Sequence, residues 1–476
     1  VRAYAHQEKA LREAVANLQR HGFHAFFMEV GTGKSKTLLD TGNELHRLHA
    51  LDAIIICGPK SLAGTWKEQV ATHCAIPNYG FVSYDSTKAR TQKWQEAFSL
   101  VNDDVTVFPI YFINTEAFQT MPVPLVKALS AIMALHHKVL LVIDESSDIK
   151  GPKAQRSLNL SKFGASCAYR VIMTGTEITN SILDLYMQFE FLKKGFWGFK
   201  SFFFFKNYYA ILEERYLSGG RTFKEIVGFR KLDEIQSKIA PYASRARKAD
   251  CLDLPEKIYA NLPVQLEGEC ARVYADMKAN LFSMLKSGEL VTVANKVALF
   301  TKFRQITGGT LAGSGIIDEN PGKIQALVDE LADHNEQAII WSCFTEEIDL
   351  LVRKLGKLWT VARFDGKTGE SDRVKAIDDF RSGAARLFIA NPAAASQGLN
   401  LQCAHIQYWY SLPTQAKHFE QGEGRTHRSG QTHACLYKKI IAEGTVDERV
   451  ARLMAEKTDL MAHFRDGTVA DMIELV

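Results

Sequence analysis

The chain has 476 residues, of which 46% are hydrophobic and 24% charged, and its formal net charge is +4. A length of this order accommodates about three globular units of ~150 residues, and the composition excludes disordered, collagen-like and low-complexity scaffolds. The longest apolar runs, Ala53 to Cys57 and Val139 to Ile143, are far shorter than the roughly 20 residues that cross a bilayer, so no membrane partner is expected.

Residues 1–20 spread Arg2, Glu8, Lys9, Arg12, Glu13 and Arg20 through an amphipathic pattern, unlike a secretory signal, and an intracellular location is expected. From Phe23 to about Leu192, β-rich runs alternate with segments of helical period. The runs are Phe23 to Val30, Ala53 to Cys57, Val105 to Ile113, Val139 to Ile143 and Arg170 to Met173. Such alternation predicts a parallel sheet covered by helices. Residues 193–320 lack that rhythm and read as a mostly helical insertion and hinge, with a Phe/Tyr-rich stretch at Phe196 to Tyr209 and a Gly-rich break at Gly308 to Gly315. Between Phe191 and Lys257 there are 14 Lys/Arg against 8 Asp/Glu, so this insertion is basic. A second alternation occupies 321–445, with strands at Ala338 to Ser342, Thr360 to Phe364, Arg386 to Ala390, Ile406 to Tyr410 and Leu436 to Ile441. Residues 446–476 follow as a helical strap, with Val446, Val450, Leu453, Met454, Leu460 and Met461 at helical spacing. The N-terminal lobe is therefore 1–192, and the fold class is α/β, with two parallel-sheet lobes in tandem and a helical insertion between them.

Three segments carry chemistry. After the first strand comes Gly31-Thr32-Gly33-Lys34-Ser35-Lys36-Thr37 and then a helix, an arrangement that wraps phosphates in backbone N–H groups. Lys34 is positioned for the β- and γ-phosphates of a nucleotide and the Ser35 hydroxyl for Mg²⁺. Met28 stands where the full Gly-x-x-x-x-Gly-Lys-Ser form has glycine, and a chance tetrad is the competing reading. The strand Val139 to Ile143 delivers Asp144 and Glu145 to its carboxyl end, the first a metal partner and the second a base that activates water, against a solvated acidic turn as the plain alternative. Arg425 and Arg428 lie three apart on a predicted helix, hence on one face, from which guanidinium groups could reach a γ-phosphate; a solvated basic helix is the alternative.

In this order, the segments resemble helicase superfamily two (DEAD/DEAH-like), and within it the Swi/Snf-type double-stranded DNA translocases of the compact bacterial and phage kind. Tyr4-Ala5-His6-Gln7 is similar to the adenine-reading glutamine segment, Gly31 to Thr37 to motif I, and Gly58-Pro59-Lys60-Ser61-Leu62 with Trp66 to motif Ia. Asp144 to Lys150 resembles the acid-acid motif and Met173 to Asn180 motif III. In the second lobe Ile340 to Phe344 resembles motif IV, Ser396 to Leu401 motif V, and Gln421 to Arg428 motif VI. Three departures stand out: Ser146-Ser147 replaces the family's Ala-His, Glu177 replaces a common proline, and Ser411-Leu412-Pro413 replaces Trp-Asn-Pro.

The resemblance implies two RecA-like lobes and a DNA-dependent ATP hydrolase using ATP and Mg²⁺. Gln7, Gly31, Thr32, Gly33, Lys34, Ser35, Lys36 and Gly398 are then the nucleotide residues, with lobe closure bringing Arg425 and Arg428 onto the phosphates. Lys60, Ser61, Ser342, Thr345 and Asn400 are the implied DNA contacts, each of which could equally be a surface or capping residue. The expected partners are double-stranded and branched DNA, the expected working form a monomer, and the expected setting a bacterial cytoplasm or an infected host cell. The expected role is branch migration or fork regression in recombination, repair or replication. A non-hydrolysing DNA clamp and an RNA helicase are the rival readings. Lys193, Lys194, Lys200 and Lys206, set among Phe196, Trp197, Phe199 and Phe202 to Phe205, suggest a basic aromatic wedge, against which core packing is the favoured reading for most of the rings.

Overall fold

The computed structural model describes residues 3–175, 181–216, 222–251, 253–286, 293–395 and 399–455. The chain divides into two compact units, Val1–Leu252 and Asp253–Val476.

The first unit is built on β1 (Phe23–Met28), β2 (Ala53–Gly58), β3 (Tyr79–Tyr84), β4 (Phe108–Asn114), β5 (Val139–Asp144) and β6 (Tyr169–Thr174). A hairpin of β7 (Ala210–Tyr216) and β8 (Thr222–Phe229) stands apart, and β9 (Ala243–Ala246) returns to the sheet. Every neighbour pair in the order β3-β4-β2-β5-β6-β1-β9 is parallel. β1, β2 and β5 are buried along their whole length, which is why they read as unbroken apolar runs rather than as alternating ones. Helices cover both faces and divide the core in two. One layer gathers Phe27, Ile55, Tyr111 and Leu141, the other Phe26, Ile54, Phe112 and Leu140, as the two-residue repeat of a strand requires. All the carboxyl ends of these parallel strands lie at one edge, and there the order separates β1 from β2 by two strands; loops that part in opposite directions leave a crevice.

The second unit repeats the architecture. Its sheet runs β10 (Lys257–Val264), β17 (Cys435–Ala442), β16 (Ile406–Trp409), β13 (Ala338–Trp341), β15 (Leu387–Ala390) and β14 (Val361–Phe364), all parallel, while β11 (Thr310–Leu311) and β12 (Gly315–Ile316) form a small hairpin. Trp341 and Trp409, side by side on β13 and β16, stack at 5.5 Å in its core. The expected two parallel-sheet α/β lobes are thus present.

Residues 193–320 depart from the strand-poor expectation. Among their described residues are the helices Phe202–Tyr209, Leu232–Ile239, Lys248–Cys251, Gly268–Lys286 and Val293–Thr307, but also six strands, of which β9 completes the first sheet and β10 the second. β9, Ala-Ser-Arg-Ala, has little intrinsic strand preference and forms by filling the free edge of β1. β10 is an edge strand of mixed exposure, and Pro263 is tolerated there because an edge has a side with no ladder to interrupt. The strap begins as the helix Val446–Ala455, packed through Val446, Val450, Leu453 and Met454; the rest of it lies outside the described residues. Among the described residues no disulfide joins any of the cysteines. Among the described residues no helix is long and apolar enough to cross a membrane, and no group of three or more His, Cys, Asp or Glu side chains is arranged to hold a metal ion.

Candidate active site

At the carboxyl end of β1 the chain turns through Glu29–Gly33 into the helix Lys34–Arg47. Gly31 and Gly33 have φ of 93° and 92°, in the left-handed region where a Cβ is strained. The loop is tied from within, since Thr32 donates to the Glu29 carbonyl from its backbone N (3.2 Å) and its hydroxyl (2.8 Å). It is also tied from the helix Ala5–His21, whose Gln7 donates from Nε2 to the Thr32 carbonyl (3.0 Å) while its Oε1 accepts from the Tyr4 N–H (3.1 Å). His6 Nε2 lies 2.8 Å from the same carbonyl. Gln7 is buried, and one bond from its amide nitrogen and one to its oxygen hold the side chain against the loop while leaving each end capacity for a second bond.

Lys34 Nζ donates to the Met28 carbonyl (2.7 Å), and Ser35 sits half-buried in the first helical turn. The Lys36 ammonium pairs with Asp40 at 2.5 Å, one turn along the same helix face, so the part of Lys36 left for a nucleotide is its backbone N–H. From the end of β5, Asp144 presents a buried carboxylate that accepts from Trp66 Nε1 (3.0 Å) and from the Glu145 N–H (3.0 Å). Burial, and then the charge of Glu145, push the Asp144 carboxyl up to about 7, against the opposing pull of Lys34 and Trp66. Glu145 has φ 55°, a left-handed conformation rare for a side-chain-bearing residue and typical of strain held at working sites. Two acids and a lysine thus share one edge, and the crowding of negative charge favours a cation with oxygen ligands, for which Ser35 and Asp144 are suitable donors.

Behind the acids, Ser146 donates its hydroxyl to Gln188 Oε1 (2.7 Å), and Gln188 Nε2 donates to the Asp184 carbonyl (3.1 Å). The acidic turn is thereby fastened to the helix Leu185–Leu192. Trp66 and Gln188 are site-supporting residues that sequence reasoning left without a role. In the sequence Trp66 stands only as part of a motif, and an indole N–H gives no signal until its acceptor is known.

In the second unit the helix Ala416–Glu423 ends before the two arginines, which lie in the irregular turn that follows, correcting the helical placement. They converge all the same: Arg425 Nη1 and Arg428 Nη1 donate to the Leu399 carbonyl at 3.0 and 3.2 Å, and Arg425 Nε donates to the Gln421 carbonyl at 2.8 Å. Burial, and then Arg381, depress the Arg428 pKa. Gly398 and residues 176–180, named from the resemblance, lie outside the described residues.

The expected DNA contacts divide. Lys60 is exposed, with Asp85 at 3.8 Å, and Ser61 is exposed beside it in a short turn. Thr345 is half-buried at the start of the helix Thr345–Leu355. Asn400 is also half-buried; its carbonyl accepts from Arg381 Nε (3.0 Å), and its Oδ1 is enclosed without a hydrogen bond among the described residues. Ser342 is fully buried and donates to Glu347 Oε2 (2.6 Å), so it supports the core of its lobe and does not face a phosphate. Ser411 donates to the same oxygen (2.6 Å), and burial raises the Glu347 carboxyl to about 7 despite Lys323 nearby. Of the aromatic stretch, Trp197 and Phe205 are buried whereas Phe203 and Phe204 are exposed.

The profile of the SNF2-related domain matches residues 5–310, and that of the helicase conserved C-terminal domain matches residues 322–430. The chain belongs to the SNF2-related family. SNF2-related proteins similar to it include a chromodomain-helicase-DNA-binding protein 3 homologue of Caenorhabditis elegans, 24% identical over 91% of this chain and 25% of that protein. An uncharacterised ATP-dependent helicase of Mycoplasma genitalium is 26% identical over 67% of this chain and 30% of that protein. The chain therefore spans between a quarter and a third of the length of these relatives. A solved SWI2/SNF2 ATPase core of Sulfolobus solfataricus in complex with dsDNA aligns over 100% of this chain and 97% of that one, at 19% identity and a TM-score of 0.42.

Proposed function

We propose that this SNF2-related chain is an ATP hydrolase driven by duplex DNA, and that it uses the turnover to move along the duplex. The observation that carries the reading is the convergence of Lys34, Asp144 and Glu145 at the carboxyl edge of one sheet, beside a loop whose glycines adopt left-handed backbone. In this reading the N–H groups of residues 31–37 and the Lys34 ammonium bind the phosphates of ATP. Ser35 and Asp144 hold a magnesium ion, which when bound neutralises phosphate charge. Glu145 accepts the proton of the attacking water, its backbone strain fixing the carboxylate in place. Arg425 and Arg428 add positive charge as the γ-phosphoryl transfers, and their fixed bonds to the Leu399 carbonyl keep the two guanidiniums in register.

Lys60, Ser61, Thr345 and Asn400 are the proposed contacts to the DNA backbone. Phosphate contacts are those a motor needs, because they carry no sequence information. The Ser146–Gln188–Asp184 chain of bonds is the proposed link from the acidic pair to the rest of the first unit, in place of the histidine of the resembling motif. The finer role is remodelling of branched DNA, such as branch migration or fork regression. Displacement of a triplex-forming strand from a linear duplex tests the translocation itself: ATP-dependent displacement supports it, and ATP hydrolysis without displacement refutes it. Migration of a four-way junction in the same preparation tests the branched-DNA role. Duplex binding with no turnover would favour a clamp, and stimulation by RNA alone an RNA helicase.

A further inference from the structure

The first unit contains a recess that the nucleotide site does not use. It has a volume of about 850 Å³, within the ~300–1,000 Å³ typical of ligand pockets, and is lined from Pro152 to Ala165, by Arg170, and by residues between Tyr186 and Lys206. Its lining shares no residue with the phosphate loop or the acidic pair. Six cations border it: Lys153, Lys162, Arg170, Lys194, Lys200 and Lys206. The one acid is Glu190, whose Oε2 is held by the Gly195 N–H (2.9 Å) and whose carboxyl burial pushes toward the neutral form. None of the five lysines makes an ion pair among the described residues, and Arg170 carries a buried Nε with no hydrogen bond among them. Phe203, 67% exposed, stands at the rim.

We propose that this recess binds unpaired nucleotides of a single nucleic-acid strand. Six cations around one recess against a single carboxylate, Glu190, are suited to phosphates, and an exposed ring beside them is suited to the face of a base, the combination by which single strands are gripped without sequence preference. A double helix is too wide to enter a recess of this volume. An extended peptide adding to a sheet edge would find no strand here, because the lining residues come from the helices Gln155–Gly164, Leu185–Leu192 and Phe202–Tyr209 and the turns between them, together with the second residue of β6. The recess would hold a strand released at a junction. The inference rests on the proposed function only in taking nucleic acid as the partner.

The test measures fluorescence anisotropy of a labelled oligothymidine with the full chain over a range of salt, alongside duplex-stimulated ATP turnover. The triple variant Lys194→Gln/Lys200→Gln/Lys206→Gln should weaken oligothymidine binding and reduce the magnitude of the salt slope by about 2, at ~0.7 per phosphate contact. Phe203→Ala should weaken binding by at least about fivefold while leaving the salt slope in place, since stacking carries no charge. Duplex-stimulated turnover should persist in both variants, which separates failure of the recess from failure of the proposed enzyme. Oligothymidine affinity and salt slope unchanged in both variants would overturn the proposal. So would an acidic peptide that displaces the oligonucleotide and whose own binding loses more in the triple variant.

Discussion

Gly33→Ala is the most informative single change at the phosphate loop, because two separable costs meet there. At φ 92° an alanine is held in the left-handed region, at about 1–2 kcal/mol. Its Cβ would lie 2.0 Å from Gln7 Nε2, so the Gln7 side chain must leave. Leaving breaks the bonds from Gln7 Nε2 to the Thr32 carbonyl and from the Tyr4 N–H to Gln7 Oε1, at about 0.5–1.5 kcal/mol each. The variant should therefore lose about 2–5 kcal/mol in urea unfolding, and Gln7→Ala about 1–3 kcal/mol. The double variant should cost less than the sum, by about the worth of the two bonds, since with Gln7 truncated the added methyl meets nothing that must move. Strict additivity would refute the steric part of the reasoning, and a Gly33→Ala protein of parental stability would refute both parts.

Glu347→Gln should stabilise the fold at pH 8. A carboxyl raised from 4.5 to about 7 confers its full stability below 4.5 and loses it as pH rises through 7, a difference of at most about 3 kcal/mol, and glutamine can still accept from Ser342 and Ser411; the advantage should vanish as pH approaches 4.5 in paired melts. His24, buried and depressed to about 3 by desolvation, has the opposite sign. Its contribution is present above 6.5 and falls with pH, by about 2 kcal/mol between 6.5 and 5, and urea titrations of His24→Gln should show that slope flattened. Arg428→Ala should lower kcat for ATP by about 1,000-fold or more while changing ATP affinity far less, as expected of a charge used during transfer; equal losses in both would make it a binding residue.

How much of this was legible in the sequence depended on burial. β1, β2 and β5 were readable because both their faces are covered, leaving nearly uninterrupted apolar runs. β3, Tyr-Gly-Phe-Val-Ser-Tyr, was not, because an edge strand of mixed exposure has neither a clean run nor a clean alternation. β9 and β10 owe their conformation to sheet edges made by distant residues, which local preference does not encode. At the site, the placing of Lys34 and Asp144 at one sheet edge was legible because an apolar strand precedes each of them. The bonds of Trp66, Gln188 and Gln7 were not, since each depends on a partner tens of residues away. Ser342 was misplaced for the same reason, its acceptor Glu347 having given no sign of being a buried carboxylate.

The measurement closest to the central claim is steady-state ATP hydrolysis by the parental chain and by Lys34→Ala, with and without linear duplex DNA. Turnover that rises strongly with duplex in the parent and is lost in the variant is the predicted result. Turnover equal in the two proteins and indifferent to DNA would contradict the assignment of the site.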